Sequence, residues 1–260
     1  MRAPFAMALA LLAGCRPEFD NGHVLDELRI LAVRAEPPEL RVGERAELQA
    51  LVFAPGGAIA TTHMWQCAAR GGMRQGCETF DDSIDLGEGT TAEIEIGPDW
   101  EEYLDAVGLP VHQVVTVVAT TPSEVERAIK RVVVSEEEVA NRNPTLEALL
   151  LGDEEEEEPD PHPASTSQSI RVTPVVSADS VETYDKLNLA GERVSTEEEL
   201  FLSYYFTCGS ATSLKSGGPD DLAATYRAPS EPSSCTLVAV LRDDRGGEDW
   251  RSREIVVPEE

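Results

Sequence analysis

From residue 24 onward the chain is a succession of short stretches in which apolar and polar residues alternate. Ala46-Glu47-Leu48-Gln49-Ala50-Leu51-Val52-Phe53 and Thr91-Ala92-Glu93-Ile94-Glu95-Ile96 repeat with period two, the pattern of a strand with one buried face. Residues 24–33 read the same way and stop at Glu36-Pro37-Pro38, where proline removes ladder donors. A short strand and turn follow at 40–44, a strand at 61–69 and a Gly-rich loop containing Cys77. Strands are expected again at 112–120 and 126–134. Val114 to Val118 are apolar on both faces except for Thr116, as a central strand would be. Asp99, ahead of Glu101 and Glu102, caps one short expected helix over 100–107. The second half repeats the habit, with strands expected at 146–151, 169–176, 200–208, 223–227, 235–242 and 251–257. Residues 186–195 fit neither period. Short strands at regular spacing, separated by turn residues, predict an all-β chain of two tandem antiparallel β-sandwiches, one over 23–135 and one over 136–260.

The two halves look like a diverged repeat. Trp65-Gln66-Cys67 lines up with Phe206-Thr207-Cys208, and each half closes with two valine-rich strands.

The opening residues follow a different rule. Met1-Arg2 is followed by an apolar run and then by Ala13-Gly14-Cys15, the layout of a secretory signal. The run is shorter than the ~20 residues needed to span a bilayer. Leu12-Ala13-Gly14-Cys15 resembles the lipobox of bacterial lipoproteins. The resemblance implies a signal peptide over 1–14, cleavage between Gly14 and Cys15, a lipid on Cys15 and a tether over 15–22. Arg16 stands where an aspartate would retain an enterobacterial lipoprotein in the inner membrane, so the resemblance implies the outer membrane of the cell envelope.

Charge narrows the choice of partners. With 49 acidic and 21 basic residues the formal net charge is −28, and a polyanion repels nucleic acid and anionic lipid surfaces. Nucleic acid is therefore not an expected partner, and the membrane is approached only through the lipid. An envelope or surface protein is the expected partner. At five per cent aromatic residues, an aromatic-lined sugar cleft is not favoured.

Lipid on Cys15 leaves Cys67, Cys77, Cys208 and Cys235, an even set suited to an oxidising compartment. Pairing within each half, Cys67 with Cys77 and Cys208 with Cys235, is expected, because separately folded sandwiches hold the other sulfurs beyond the ~7 Å Cα reach of a disulfide. Zinc is the competing reading, but no close Cys-x-x-Cys or His pair is present.

Little else carries chemistry. His23, His63, His112 and His162 are scattered, and the chain holds no nucleophile elbow, His-Glu-x-x-His or phosphate loop. No catalytic residue, cofactor or metal is assigned. Residues 153–163, with their glutamate run and prolines, read as a solvated, mobile acidic loop that attracts cations diffusely. Asp243, Asp244 and Asp249 form a second acidic group, for which turn chemistry is the first reading and calcium the second. Trp65 and Phe206 are expected in the cores beside the disulfides, Trp100 as the pin of the helix, and Trp250 as half-exposed.

Val24 to Leu40 with Gly43-Glu44 and Trp65-Gln66-Cys67, and the closing Ala239-Val240-Leu241-Arg242-Asp243-Asp244-Arg245-Gly246-Gly247, resemble uncharacterised myxobacterial-type lipoproteins with Ig-like or PKD-like domains. The resemblance implies Ig-like sandwiches on a lipid anchor, the second PKD-like, with no assigned chemistry. The chain departs from the immunoglobulin pattern in lacking a cysteine on the second strand of either half. The expectation is a non-enzymatic structural or protein-interaction module of the envelope. The alternatives are an accessory carbohydrate- or peptide-binding lipoprotein with a pocket between the halves, and a hydrolase with an unrecognised site.

Overall fold

The computed structural model describes residues 22–67, 77, 83–100, 111–137, 140–188, 190–212, 214–217 and 222–259. The expected signal segment, Gly14, Cys15 and most of the tether lie outside these residues, as does the expected helix beyond Trp100. Trp100 itself is buried in the first core.

The first sandwich contains β1 (Arg29–Glu36), β2 (Glu39–Leu40), β3 (Arg45–Phe53), β4 (Thr61–Gln66), β5 (Ile84–Glu88), β6 (Thr91–Glu95), β7 (Val111–Thr120) and β8 (Val125–Val134). One sheet runs β1-β3-β6 and the other β2-β8-β7-β4-β5. The second sandwich contains β9 (Leu146–Leu151), β10 (His162–Pro163), β11 (Ser169–Val176), β12 (Thr183–Leu187), β13 (Arg193–Glu197), β14 (Leu200–Phe206), β15 (Ser210–Ala211), β16 (Lys215–Gly217), β17 (Ala224–Arg227), β18 (Ser233–Asp243) and β19 (Glu248–Val257). Its sheets run β15-β17-β11-β9 and β10-β19-β18-β14-β16, with β12 and β13 as a separate hairpin. The wiring is the same in both. The opening strand pairs antiparallel with the long strand that follows (β1 with β3, β9 with β11). A two-residue strand between them crosses to the other sheet and runs parallel to the closing strand (β2 with β8, β10 with β19).

Alternation in the sequence becomes alternation of faces. Ala46, Leu48 and Ala50 of β3 point into the first core with Val115, Val117, Val132 and Val134. Leu202, Tyr204, Phe206, Leu237, Ala239 and Leu241 fill the second, where Phe206 meets Tyr226 edge-on at 6.2 Å. As expected, β7 is central in its sheet and buried on both sides. Its outer face is covered by the Cys67–Cys77 bridge, against which Val114 packs.

The structure decides two points the sequence left open and changes two expectations. Residues 186–195 belong to the β12–β13 hairpin, whose polar, mostly exposed strands carry no core signal. β5 has no apolar period and was not expected. It forms because β4 offers it a free ladder edge. Trp65 is beside its disulfide but faces outward, because Thr62, Met64 and Gln66 point in, whereas Phe206 points in. Aligned on their cysteines, β4 and β14 are therefore one residue out of step, which reverses the faces. Residues 153–163 stay largely exposed, as a solvated loop would, but they are tied down rather than free. They fold back onto the sandwich around Arg253, a cation buried at 2% exposure. Like charges in a row look repulsive in sequence, but a buried cation elsewhere supplies the opposite sign.

Candidate functional site: the junction between the sandwiches

The tight turn joining β18 to β19 organises the junction. Asp243 is buried, and its Oδ1 accepts the main-chain N–H of Arg245 at 2.8 Å and of Gly247 at 2.7 Å, the self-made turn of an aspartate. Gly246 sits at φ +101, and a Cβ on Gly247 would overlap the Asp243 carboxylate and come within 2.9 Å of Pro144. The two glycines are therefore required by conformation in one case and by space in the other.

The turn aims Arg245 at the first sandwich. Its Nη2 donates to Glu39 of β2 at 2.7 Å and its Nη1 to Glu198 at 3.1 Å, and the guanidinium lies 4.6 Å from the Tyr184 ring. Glu39 is 3% exposed and also accepts the hydroxyl of Ser135 and the N–H of Asn141. Asn141 donates its amide to Asp243 at 3.3 Å. Lys130 of β8 stands at an inward position between Ala128 and Val132 and is 4% exposed. It crosses to the second sandwich, donating to the Gly246 carbonyl at 2.6 Å with Glu248 at 3.4 Å.

The outer edge of β1 is finished by side chains from the second half. Arg242 donates to the Leu31 carbonyl at 2.6 Å, the Val33 N–H donates to Glu248 at 3.0 Å, and Asn143 donates to the Ala35 carbonyl at 2.7 Å. Arg34 pairs with Asp249 at 3.2 Å. Beneath these contacts Leu25, Leu31, Ala32, Val238 and Val240 form an apolar layer, with Leu51, Phe53, Tyr205 and Trp250 around it. The residues ahead of β1 also belong to the second sandwich. Val24 bridges Phe206 in parallel, the Leu25 N–H donates to the Phe206 carbonyl at 2.8 Å, and His23 stacks on Tyr205 at 5.3 Å.

Burying these charges shifts their protonation. Glu198 is pushed up to about 7, first by burial and then by Asp243 and Glu182, against the Glu182 N–H and Arg245. Asp243 is raised by burial despite its turn bonds, and Lys130 is lowered by burial despite Glu248. Each of these groups is committed to a partner across or beside the junction. Chemically the arrangement can join two bodies.

The other candidates fall in separate places. Cys67 bonds Cys77 and Cys208 bonds Cys235, with Cα atoms 5.0 and 5.4 Å apart. Neither bridge crosses between the two sheets of its sandwich, since Cys235 lies on β18 beside the end of β14. Asp243, Asp244 and Asp249 do not converge: Asp243 holds the turn, Asp244 accepts the Tyr184 hydroxyl, and Asp249 accepts the Leu146 N–H and pairs with Arg34. Among the described residues no group of three or more His, Cys, Asp or Glu side chains is arranged to hold a metal ion. His63 lies flat on Trp65, ring centroids 4.0 Å apart, with its Nε2 2.6 Å from Asp85 on the outer face of the first sandwich. Asp85 is held below the usual carboxylate range by that histidine and by the Gly87 N–H. His112 is lowered by burial and by Arg131. His162 pairs with Glu154 at 2.9 Å.

Glu39, Lys130, Arg245 and Arg253 were missed in sequence. For two of them a signal existed: Lys130 and Arg253 occupy inward positions of otherwise apolar half-strands, Ala128-Lys130-Val132-Val134 and Arg253-Ile255-Val257. A charge in step with the core has to be paired.

No family model and no curated protein matches the chain. Solved structures do. Three N-terminal domains of the Hoc outer capsid protein of bacteriophage RB49 align with 90% of this chain and 71% of their own, at 11% identity and a TM-score of 0.25. Dimeric latent PorU of Porphyromonas gingivalis aligns with 91% of this chain at 11% identity and 0.23. The adhesin InvE of Yersinia pseudotuberculosis aligns with 86% at 8% identity and 0.23. The chain spans 24% of the PorU chain and 58% of the InvE chain.

Proposed function

We propose that this chain is a non-enzymatic envelope module in which two disulfide-stapled Ig-like sandwiches are locked into one stiff body and presented from a lipid on Cys15. The observation that carries the reading is the junction. Glu39, Lys130 and Arg245 are all nearly buried and are committed to holding one sandwich against the other, with Asp243 shaping the turn that aims Arg245, an arrangement suited to transmitting position and force. Removing buried charge from water is costly unless every charge is partnered. A chain whose sandwiches worked independently would gain nothing from it. The two disulfides agree with an exported, oxidising destination, and Cys15 follows a signal-like apolar run. Two or three acyl chains there would hold the protein to a membrane, since each buried CH₂ contributes about 0.8 kcal/mol.

Cell fractionation of wild type and Cys15→Ser tests the anchor. The wild type is expected in the membrane fraction and the variant in the soluble one. Membrane association unchanged in the variant refutes it. Crosslinking in cells then identifies the envelope or surface protein that the module contacts. Turnover of an envelope substrate by the purified chain would refute the non-enzymatic reading.

A further inference from the structure

β9 lies at the outside of its sheet, with β11 on one side only. A free strand edge is a template for another strand. Here the outward groups are already taken. The Leu149 N–H donates to Glu157 at 2.6 Å and the Leu151 N–H to Glu154 at 3.0 Å. The Leu149 carbonyl accepts Arg253 Nη1 at 2.6 Å, and at Leu146 the N–H meets Asp249 at 2.8 Å and the carbonyl meets Arg251 at 2.9 Å. Pro174 stands opposite Leu149 on β11. Directly opposed residues of antiparallel strands point their main-chain groups both inward or both outward, so the proline costs no ladder bond with β9.

The two carboxylates are positioned by cations of β19: Glu157 lies 3.6 Å from Arg251, and Glu154 is held by the buried Arg253. Arg253 donates to Glu154 at 3.1 and 3.3 Å, to Asp160 at 2.7 Å and to the Glu158 carbonyl at 3.1 Å, and His162 pairs with Glu154 from the other side. The Glu154 side chain is 4% exposed. The glutamate run therefore wraps over a cation from β19 and presents Glu154 and Glu157 to the edge of β9. Beneath them lies Leu146-Glu147-Ala148-Leu149-Leu150-Leu151, a short apolar strand of the kind that pairs with copies of itself when uncovered.

We propose that the acidic run 153–158 is an edge guard: Glu154 and Glu157 hold the main-chain positions on β9 that β9 of a second copy of this chain would otherwise take. A carboxylate satisfies an edge N–H as a strand carbonyl would, but it carries no further strand with it.

The test compares the full chain with Glu154→Ala/Glu157→Ala and with Glu155→Ala/Glu156→Ala, which loses the same charge at exposed positions that cap no group of β9. Hydrogen exchange reads the Leu149 and Leu151 amides in dilute protein, and sedimentation velocity reads self-association across a concentration series. In the first variant these two amides are expected to exchange at least tenfold faster, with a dimer at least tenfold tighter than any formed by wild type. The second variant is expected to match wild type in both. Equal behaviour of the two variants, unchanged exchange at Leu149 and Leu151, or faster exchange without tighter association overturns the proposal. Should the double variant lose its near-ultraviolet circular dichroism, Glu157→Ala alone, which leaves Arg253 all the partners named here, is judged by the same two readouts.

Discussion

Glu198 shows what a single side chain contributes to the pH response. Its folded pKa of about 7 lies above the ordinary value of 4.5, so between the two the folded chain binds a proton that the unfolded chain does not. Its contribution therefore makes the protein more stable as pH falls from about 8 toward about 5, by at most about 3 kcal/mol. Glu154 has the opposite sign. Arg253, the Leu151 N–H and His162 hold it below the ordinary range against the effect of burial, so its stabilisation is lost as pH falls through that lowered value. Urea melts of wild type and Glu198→Gln between pH 5 and 8 should show a flatter profile in the variant, with its gain over wild type largest at pH 8. Arg253→Met should cost about 3–5 kcal/mol, because it leaves the buried Glu154 without its cation. Denaturant midpoints measure it. Neither shift could be found along the chain, because Glu182 and Asp243 reach Glu198 only through the fold.

At the scale of elements, the β18–β19 turn and the two disulfides carry separate, measurable loads. Gly247→Ala places a methyl group on the Asp243 carboxylate and against Pro144, and overpacking of this kind typically costs about 1–3 kcal/mol. The same change at the surface turn residue Gly152, at φ +67 with open space around it, adds only the left-handed conformation, a cost nearer 1 kcal/mol. Calorimetry on the two variants should rank them in that order. The bridges close loops with sequence separations of 10 and 27 residues, so on a chain-entropy basis Cys67→Ser/Cys77→Ser should lose about 3 and Cys208→Ser/Cys235→Ser about 3.6 kcal/mol. Most strands were legible from their period. Of the long ones, β3, β8 and β11 alternate and bury one face against a core, while β7 and β18 are apolar on both faces and are covered on both. β5, β12 and β13 were not, because they are ordered by pairing with a neighbour and bury little of their own.

For the whole molecule, the prediction concerns stiffness. Glu39→Ala and Arg245→Ala each strand a buried partner and should each destabilise by about 3–5 kcal/mol, whereas the double variant should cost clearly less than their sum, since the pair leaves together. Small-angle scattering should find a larger radius of gyration in the single variants if breaking this contact lets the sandwiches part. An unchanged radius would assign the joining to the apolar layer of Leu25, Leu31, Val238 and Val240 instead. The sequence pointed to two tandem sandwiches, but nothing in it indicated that residues 23–25, ahead of β1, pair with β14. That contact spans most of the chain length, and no local pattern encodes it.

By itself, then, the chain determined its class, most of its strands, both sulfur pairings and a signal-like beginning. Each of these is local: a period of two, a turn residue, or a distance along the chain short enough to limit the partners. Which charges are buried, which edge they seal and how one sandwich seats on the other were decided only by tertiary structure. A lysine or glutamate reads the same in water or in a core until the partner that neutralises it is brought alongside, and here Lys130, Glu39, Arg245 and Arg253 each meet partners far away in sequence.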